Sequence, residues 1–276
     1  MDIEKEFSDL KQVIKEVSVI AREYFDSDST ANEIKGDGSV VTEIDKNIET
    51  ALLKHIKERF PDDSIVGEEH GNHEGTSGFV WHIDPIDGTD NFLRKIPFCC
   101  VSVARLGDTA EGSLGIIYNP ITGQMFASLK EDGTYENERL TNLTAEPLGG
   151  RLILVLSAYS RDWMKIAKLK LAEALSMEIG KTVSYSSCAL ELAYIAANRI
   201  DAQLTFGLQT FDYAAGLFLV KAAGGAISVY EDDEWKRWTG SIKDLCDSHG
   251  KTIFSSHPDI HDQITTFIGD PKKWAS

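Results

Sequence analysis

The segment 79–92 constrains the fold more than any other part of the chain, because an apolar run leads directly into two closely spaced carboxylates. Its sequence is FVWHIDPIDGTDNF, and the run Phe79–Ile83 predicts a buried strand. The proline, glycine and threonine that follow predict a tight turn, with a helix beginning near Asn91. Because Asp84 and Asp87 both leave the end of one strand, we expect their side chains to point into one pocket.

Two carboxylates in one pocket repel each other unless a cation lies between them. Mg²⁺ prefers such oxygen ligands, completed by waters and substrate phosphate. Gly88 allows the backbone to approach a ligand closely, and the N–H groups of the next helix would face an anion. The alternative is a surface turn, since Asp, Pro and Gly are ordinary turn residues. The complete string behind a buried strand favours a metal and phosphate site.

The string Asp84-Pro85-Ile86-Asp87-Gly88-Thr89 resembles the signature of the inositol monophosphatase family of Mg²⁺-dependent phosphomonoesterases. Three further stretches match in order: 35–45, Gly67-Glu68-Glu69 and FDYAAG at 211–216. The resemblance covers nearly the whole chain. It implies an α+β or α/β fold, a layered αβαβα sandwich like that of inositol monophosphatase and fructose-1,6-bisphosphatase.

The resemblance also implies a site with two or three Mg²⁺ ions. The implied metal ligands are Glu68, Asp84, the carbonyl of Ile86, Asp87 and Asp212, with Glu69 as second choice to Glu68. The implied catalytic residues are Thr89 and Glu68, which assist a water molecule that attacks phosphorus. The implied substrate-binding residues are Asp87, Gly88, Thr89, Ser187 and Cys188. Lys35 and Asp45 are expected near a third metal, and inhibition by lithium is expected.

Three of these residues have an alternative interpretation from the local pattern alone. Asp212 precedes a predicted helix and is a preferred N-cap residue. Thr89 could otherwise cap the helix after it, but the catalytic interpretation is favoured because Thr89 stands between the implied metal ligands and the phosphate-binding N–H groups. Asp45 lies at the third position after Thr42, in a pattern like a capping box, and could be only a helix-start residue.

Composition narrows the class of protein. The 276 residues are 42% hydrophobic and carry a net charge of −16, which argues against a nucleic-acid surface. No apolar run approaches the ~20 residues of a membrane span, and the charged N-terminus has no signal-peptide pattern. The four cysteines form no CxxC pair and are expected to be reduced and buried. Composition therefore predicts a cytoplasmic protein that binds neither membranes nor nucleic acid. The resemblance implies an enzyme that acts on a small phosphorylated metabolite, and a homodimer.

A composition break, formed by Gly149-Gly150 and the polar stretch before it, predicts two domains with a boundary near 145. Domain 1–145 combines two helices, 2–25 and 43–59, with a largely antiparallel sheet, and it carries most metal ligands. Domain 146–276 alternates strands and helices around a mixed or parallel sheet and completes the site. Predicted strands are 64–66, 99–106, 113–118, 124–129, 152–156, 182–185, 202–206, 226–230 and 252–255; predicted helices are 163–178, 188–198, 213–223 and 258–268. His70 and His73 are placed in a solvated polar loop rather than at a metal.

Departures from the family pattern bear on the substrate. Inositol phosphatases place an acidic residue where this chain has Thr205, and they often have arginine where it has Val183 and Gly-Ser-Ala where it has Ser186-Ser187-Cys188. A sugar or polyol phosphate is favoured, with fructose 1,6-bisphosphate, histidinol phosphate, NADP or phosphoadenosine phosphate as alternatives. A further alternative is a regulatory protein, since some bacterial members of the family act in transcription complexes through protein contacts.

Overall fold

A computed structural model describes residues 2–26, 32–34, 40–141, 143, 152–158, 162–178, 180–248 and 252–275. The first half contains α1 Ile3–Val17, α2 Val19–Asp26, β1 Asn32–Ile34, β2 Val40–Thr42, α3 Glu43–Arg59, β3 Ser64–Gly67, β4 Gly71–His73, β5 Val80–Asp87, α4 Thr89–Leu93, β6 Cys100–Leu106, β7 Leu114–Tyr118, β8 Met125–Leu129, β9 Tyr135–Glu136 and β10 Arg139–Leu140. The second half contains β11 Leu152–Ala158, α5 Asp162–Glu178, β12 Gly180–Val183, α6 Cys188–Ala196, β13 Ala202–Phe206, α7 Thr210–Ala222, β14 Ala226–Glu231, β15 Glu234–Arg237, α8 Ile242–Asp247, β16 Thr252–Ser256, α9 Pro258–Ile268 and a terminal 3₁₀ helix Pro271–Ala275.

The first large sheet has eight strands in the order β10-β9-β8-β7-β6-β5-β3-β4. Neighbouring strands are antiparallel except for β3 and β5, which pair in parallel. The predicted, largely antiparallel first sheet is confirmed. Strands β9 and β10 were not predicted, because two-residue strands carry no periodicity.

The second large sheet has six strands in the order β12-β11-β13-β16-β14-β15. Strand β11 is parallel to both β12 and β13, and the other pairs are antiparallel. This mixed sheet also agrees with the prediction. Strand β15 and helix α8 were missed.

The two sheets and their helices form five layers, which confirms the predicted αβαβα sandwich. Helices α1 and α3 cover one face of the first sheet, α6 and α7 fill the space between the sheets, and α5 and α9 cover the outer face of the second. Strand β6 is apolar on both faces because each face packs in a different hydrophobic core. Val101 and Val103 pack in the α1/α3 core, whereas Ala104 and Leu106 pack in the core around α6 and α7, because successive side chains point to opposite faces.

Several predicted elements have different bounds, and for two of them the structure shows the physical cause. The helix predicted over 2–25 is divided at Ser18, whose backbone N–H and Oγ both donate to the carbonyl of Ile14, at 3.1 and 2.6 Å; a serine hydroxyl competes in this way with helical hydrogen bonds. The strand predicted over 79–83 continues to Asp87, because pairing with β6 persists to Asp87 and Cys100 across an irregularity between Asp84 and Asp87. Pro85 lies within that irregularity, where its missing N–H removes no ladder bond.

The predicted loop at His70 and His73 is partly an edge strand, β4, that pairs with β3. The His70 ring contacts Glu49 and Thr50 of α3, and His73 Nε2 lies 3.3 Å from Lys57 Nζ. Both histidines are exposed, as the prediction of a solvated stretch required, but residues 71–73 form a short edge strand rather than a loop.

Some predictions stay untested. The division into domains at 145 stays a prediction, and residues 144–150 lie outside the described ranges, as do Lys35 and the side chain of Thr42.

All four cysteines are free and buried, as expected. Among the described helices, none is both long enough and apolar enough to cross a membrane.

Candidate metal centre and active site

Four carboxylates from three parts of the chain lie at one end of the middle layer. Glu68 follows β3, Asp84 and Asp87 come from the last residues of β5, and Asp212 lies in the first turn of α7. The backbone N–H of Glu68 donates to the carbonyl of Ile83 at 3.2 Å, which fixes the end of β3 against β5. The structure thus brings the predicted acidic ligands into one electrostatic environment.

Asp84 is the most confined of these carboxylates. Its side chain is 2% exposed, and its Oδ1 has no hydrogen-bond donor among the described residues. Burial raises the pKa of Asp84 well above its usual range, and the charges of Glu68, Asp87, Asp212 and Asp45 raise it further. A buried acceptor without a donor is costly, so this oxygen is suited to a cation.

Asp87 is held by the start of helix α6. Its Oδ2 accepts hydrogen bonds from Ser187 Oγ at 2.7 Å and from the N–H of Ala189 at 2.8 Å, and its Oδ1 accepts from the N–H of Cys188 at 3.2 Å. The carboxylate of a distant segment therefore satisfies the free N–H groups of α6. Burial raises the pKa of Asp87 to about 6, against the opposing effect of these hydrogen bonds.

Gly88 and Thr89 complete the turn. Gly88 has φ of 89°, and a Cβ there would lie 3.0 Å from the carbonyl oxygen of Phe98 and 3.1 Å from Ser187 Cβ, so only glycine fits both the conformation and the space. Thr89 begins α4, and its hydroxyl donates to the carbonyl of Ile86 at 3.0 Å. The helix predicted to begin near Asn91 therefore begins two residues earlier.

Asp212 is not the N-cap of its helix. Helix α7 begins at Thr210 with Gln209 as N-cap, and Asp212 Oδ2 accepts from the N–H of Gln209 at 2.8 Å in a capping box. Burial raises the pKa of Asp212 well above its usual range, and the charge of Asp87 adds to this. Asp212 therefore accepts a hydrogen bond at the start of α7 and also lies near the other acidic residues.

Asp45 lies in the first turn of α3, is 3% exposed, and its charge contributes to the raised pKa of Asp84. Both interpretations from the sequence, a helix-start residue and a residue near the site, are therefore compatible with its position.

Thr205, which stands where inositol phosphatases have an acidic residue, is 3% exposed, and its hydroxyl donates to Gln203 Oε1 at 3.3 Å.

The donor chemistry of this site fits a hard cation. Within the described ranges, no group of three or more His, Cys, Asp or Glu side chains lies in an arrangement that could hold a metal ion. Asp87 and Asp212 instead direct oxygens at N–H donors. An ionised carboxylate has about four lone-pair sites, so these bonds leave acceptor capacity. The oxygen-only donor set and the unsatisfied Oδ1 of Asp84 fit Mg²⁺ better than a softer metal.

Two buried glutamates near the site were not predicted from the sequence. Glu49 of α3 accepts the N–H groups of Glu69 and His70, and Glu191 of α6 accepts the N–H of Tyr185. A signal was present for Glu191, because it is a charged residue in the otherwise apolar helix CALELAYIA. No such signal marks Glu49, which lies in a helix with many charged residues.

Comparison with known sequences places the chain in a family. The model of the inositol monophosphatase family matches residues 4–264. Among curated proteins, the Nus factor SuhB of Salmonella typhimurium is 33% identical over 228 residues, which are 82% of this chain and 85% of that protein. The Nus factor SuhB of Haemophilus influenzae is 33% identical over 217 residues, 78% of this chain and 80% of that protein.

Solved structures have the same fold. An IMPase from Thermotoga maritima superposes with a TM-score of 0.80 at 23% identity, covering 96% of this chain and 97% of that one. An inositol monophosphatase from Anabaena (Nostoc) sp. PCC 7120 gives a TM-score of 0.76 at 24% identity and 96% coverage of both chains. With the family match over 4–264 and the layered sandwich with its acidic turn, this chain belongs to the inositol monophosphatase family.

Proposed function

We propose that the protein is a Mg²⁺-dependent phosphomonoesterase that hydrolyses a small sugar or polyol phosphate. The observation that carries the proposal is Asp84, whose buried Oδ1 has no donor among the described residues and whose pKa is raised by burial and by the charges of Glu68, Asp87 and Asp212. Membership of the inositol monophosphatase family supports it.

In this proposal Glu68, Asp84, the carbonyl of Ile86, Asp87 and Asp212 hold two or three Mg²⁺ ions. Bound Mg²⁺ neutralises charge on the phosphate and lowers the pKa of a coordinated water. Asp84, whose pKa is raised by the charges of the other acids, would be the ligand shared between the ions. Ile86 already accepts from Thr89, but a carbonyl has a second lone pair for a cation.

Thr89 and Glu68 orient the attacking water. Because the Thr89 hydroxyl donates a hydrogen bond to the carbonyl oxygen of Ile86, its oxygen lone pairs are available to accept a hydrogen bond from water. Glu68, at the end of β3, would accept a proton from this water as the new P–O bond forms and the ester P–O bond breaks, and the leaving alcohol oxygen would take up a proton from solvent. The backbone N–H groups of Gly88 and Thr89 bind the phosphate oxygens.

Ser187 and Cys188 act at this site by positioning Asp87 as well as by lining the substrate pocket. The hydroxyl of Ser187 and the backbone N–H of Cys188 both donate hydrogen bonds to the Asp87 carboxylate. Asp87 is thereby kept in one orientation for metal and substrate. Its attachment to α6 joins the acidic turn of β5 to the second half of the chain.

Substrate selection is expected to be broad. Thr205 stands where inositol phosphatases have an acid, and its hydroxyl is already engaged with Gln203. A neutral side chain accepts hydrogen bonds from polyol hydroxyls more weakly than a carboxylate does. Inositol 1-phosphate should therefore not be strongly preferred.

A phosphate-release assay tests both the reaction and the substrate. The panel contains inositol 1-phosphate, fructose 1,6-bisphosphate, histidinol phosphate, phosphoadenosine phosphate and NADP, each with Mg²⁺ and with EDTA. We expect Mg²⁺-dependent release that Asp84→Asn nearly abolishes and that Asp90→Asn, at an exposed position of the same turn, leaves intact. Wild-type turnover in Asp84→Asn would refute the shared-ligand assignment, and a large preference for inositol 1-phosphate would refute broad specificity.

A second candidate function is a regulatory one, because the curated relatives are named Nus factor SuhB. Binding to a transcription complex would depend on the surface of the protein and not on the acidic turn. Co-purification of a transcription complex with wild type and with Asp84→Asn separates the two functions. Equal recovery with both proteins, with phosphatase activity in neither, would favour the regulatory candidate alone.

A further inference from the structure

We propose that Glu49 is a positioning residue that holds the turn carrying Glu68 in the orientation required for metal binding. The proposal rests on the metal-dependent function proposed above and assigns a role to a residue outside the acidic motifs. Glu49 lies in the middle of α3 and is fully buried, with 0% exposure. A buried carboxylate is costly unless hydrogen bonds compensate for its lost hydration.

The hydrogen bonds that compensate for the lost hydration of Glu49 come from the backbone directly after Glu68. Glu49 Oε2 accepts the N–H of Glu69 at 2.8 Å, and Oε1 accepts the N–H of His70 at 3.0 Å. The ring of His70 adds a third contact, with Nδ1 at 3.4 Å from Oε1. One carboxylate therefore binds two consecutive N–H groups of a turn that β-sheet pairing alone would leave open.

The other side of Glu68 is also fixed. Its own N–H donates to the carbonyl of Ile83 at 3.2 Å, one residue before Asp84. The backbone of Glu68 is therefore held between β5, which carries Asp84, and α3. Asp45 lies one turn before Glu49 on the same face of α3, so this face is directed at the site.

Gly67 provides the space for this arrangement. A Cβ at residue 67 would lie 2.2 Å from Glu49 Oε1 and 3.1 Å from its Cδ. Any larger residue would displace the carboxylate from the turn. The glycine before Glu68 is thus explained by the position of Glu49.

Hydrogen exchange measures the contact without reference to activity. In metal-free protein, the peptide 67–74 should exchange about tenfold faster in Glu49→Gln, because one amide oxygen cannot replace two carboxylate oxygens as acceptors for both N–H groups. Gly67→Ala should have the same effect while leaving residue 49 unchanged. Asp201→Asn is the matched control, since Asp201 is a buried carboxylate that accepts the N–H of Ile153 at 2.7 Å in the second sheet.

Metal binding measures the consequence. Loss of such outer contacts typically weakens metal affinity about 10- to 100-fold, so we expect a shift of this size in Mn²⁺ binding by electron paramagnetic resonance. The Mg²⁺ concentration for half-maximal activity should rise in parallel, while KM at saturating Mg²⁺ changes less than about twofold. Asp201→Asn should change neither quantity.

The outcomes separate this proposal from the proposed function. Unchanged exchange at 67–74 in both variants, or faster exchange with unchanged Mn²⁺ binding, would overturn the positioning role. Mn²⁺ binding that weakens as expected in a protein without phosphatase activity would support the positioning role and refute the phosphatase function. A wild-type protein that binds no Mn²⁺ would overturn both.

Discussion

Replacement of Glu191 by glutamine should stabilise the protein at alkaline pH. Glu191 is fully buried in α6, and its carboxylate accepts hydrogen bonds from Ser157 Oγ at 2.6 Å, Gln203 Nε2 at 2.7 Å and the N–H of Tyr185 at 2.9 Å. No cation is among these partners. Burial raises the pKa of Glu191 from 4.5 to about 7, so the charged form is disfavoured despite three donors.

The pKa values give the size and the sign of the effect. Between pH 4.5 and about 7 the folded protein retains a proton that the unfolded chain has released. The stability contributed by protonated Glu191 is therefore fully present below pH 4.5 and is lost as pH rises through 7. At about 1.4 kcal/mol for each pKa unit, the total loss is about 3 kcal/mol, most of which falls between pH 5 and pH 8.5.

Urea unfolding of metal-free wild type and Glu191→Gln across that pH range measures the effect. Glutamine has the volume of a protonated glutamate and keeps an acceptor for Tyr185, so the two proteins should be nearly equally stable at pH 5. At pH 8.5 the variant should be more stable by about 2 to 3 kcal/mol. Glu173→Gln, at an exposed position of α5, is the control and should follow the wild type at every pH.

The comparison with wild type at each pH removes the contributions of all other titrating groups. A stability difference that does not change with pH would show that Glu191 titrates alike in the folded and unfolded chains. A variant less stable than wild type at pH 8.5 would show that the three hydrogen bonds outweigh the cost of the buried charge. Either result would refute the reasoning.

Three further predictions concern the site and the first sheet. Asp212→Asn should maintain or raise the metal-free melting temperature, shrink the Mg²⁺-induced shift and lower activity steeply. An undiminished shift in an active variant would leave Asp212 with only its capping-box hydrogen bond to Gln209. Lithium should inhibit at limiting Mg²⁺, and a flat titration of phosphate release would contradict this. Arg105→Met should destabilise the fold by about 3–5 kcal/mol in urea unfolding, because it leaves Asp63 buried without the cation whose Nε lies 2.7 Å away; a loss below about 1 kcal/mol would contradict it.

The sequence by itself determined the family, the layered fold and the acidic turn. The string from Asp84 to Thr89 is contiguous, so its meaning does not depend on distant residues. Elements with strong local signals agree with the structure, as for α3 at 43–59, β13 at 202–206 and α9 at 258–268. Their apolar spacing, and a proline in the first turn of α9, are readable within each segment.

Tertiary structure decided how the acidic residues are held. Asp87 satisfies the N–H groups of a helix that begins about one hundred residues later, and Glu49 does the same for a turn about twenty residues away. Strand β5 extends to Asp87 because β6 pairs with it, against the local turn signal of Pro85. Such contacts depend on where elements pack, since a buried carboxylate accepts whichever N–H groups the fold brings to it.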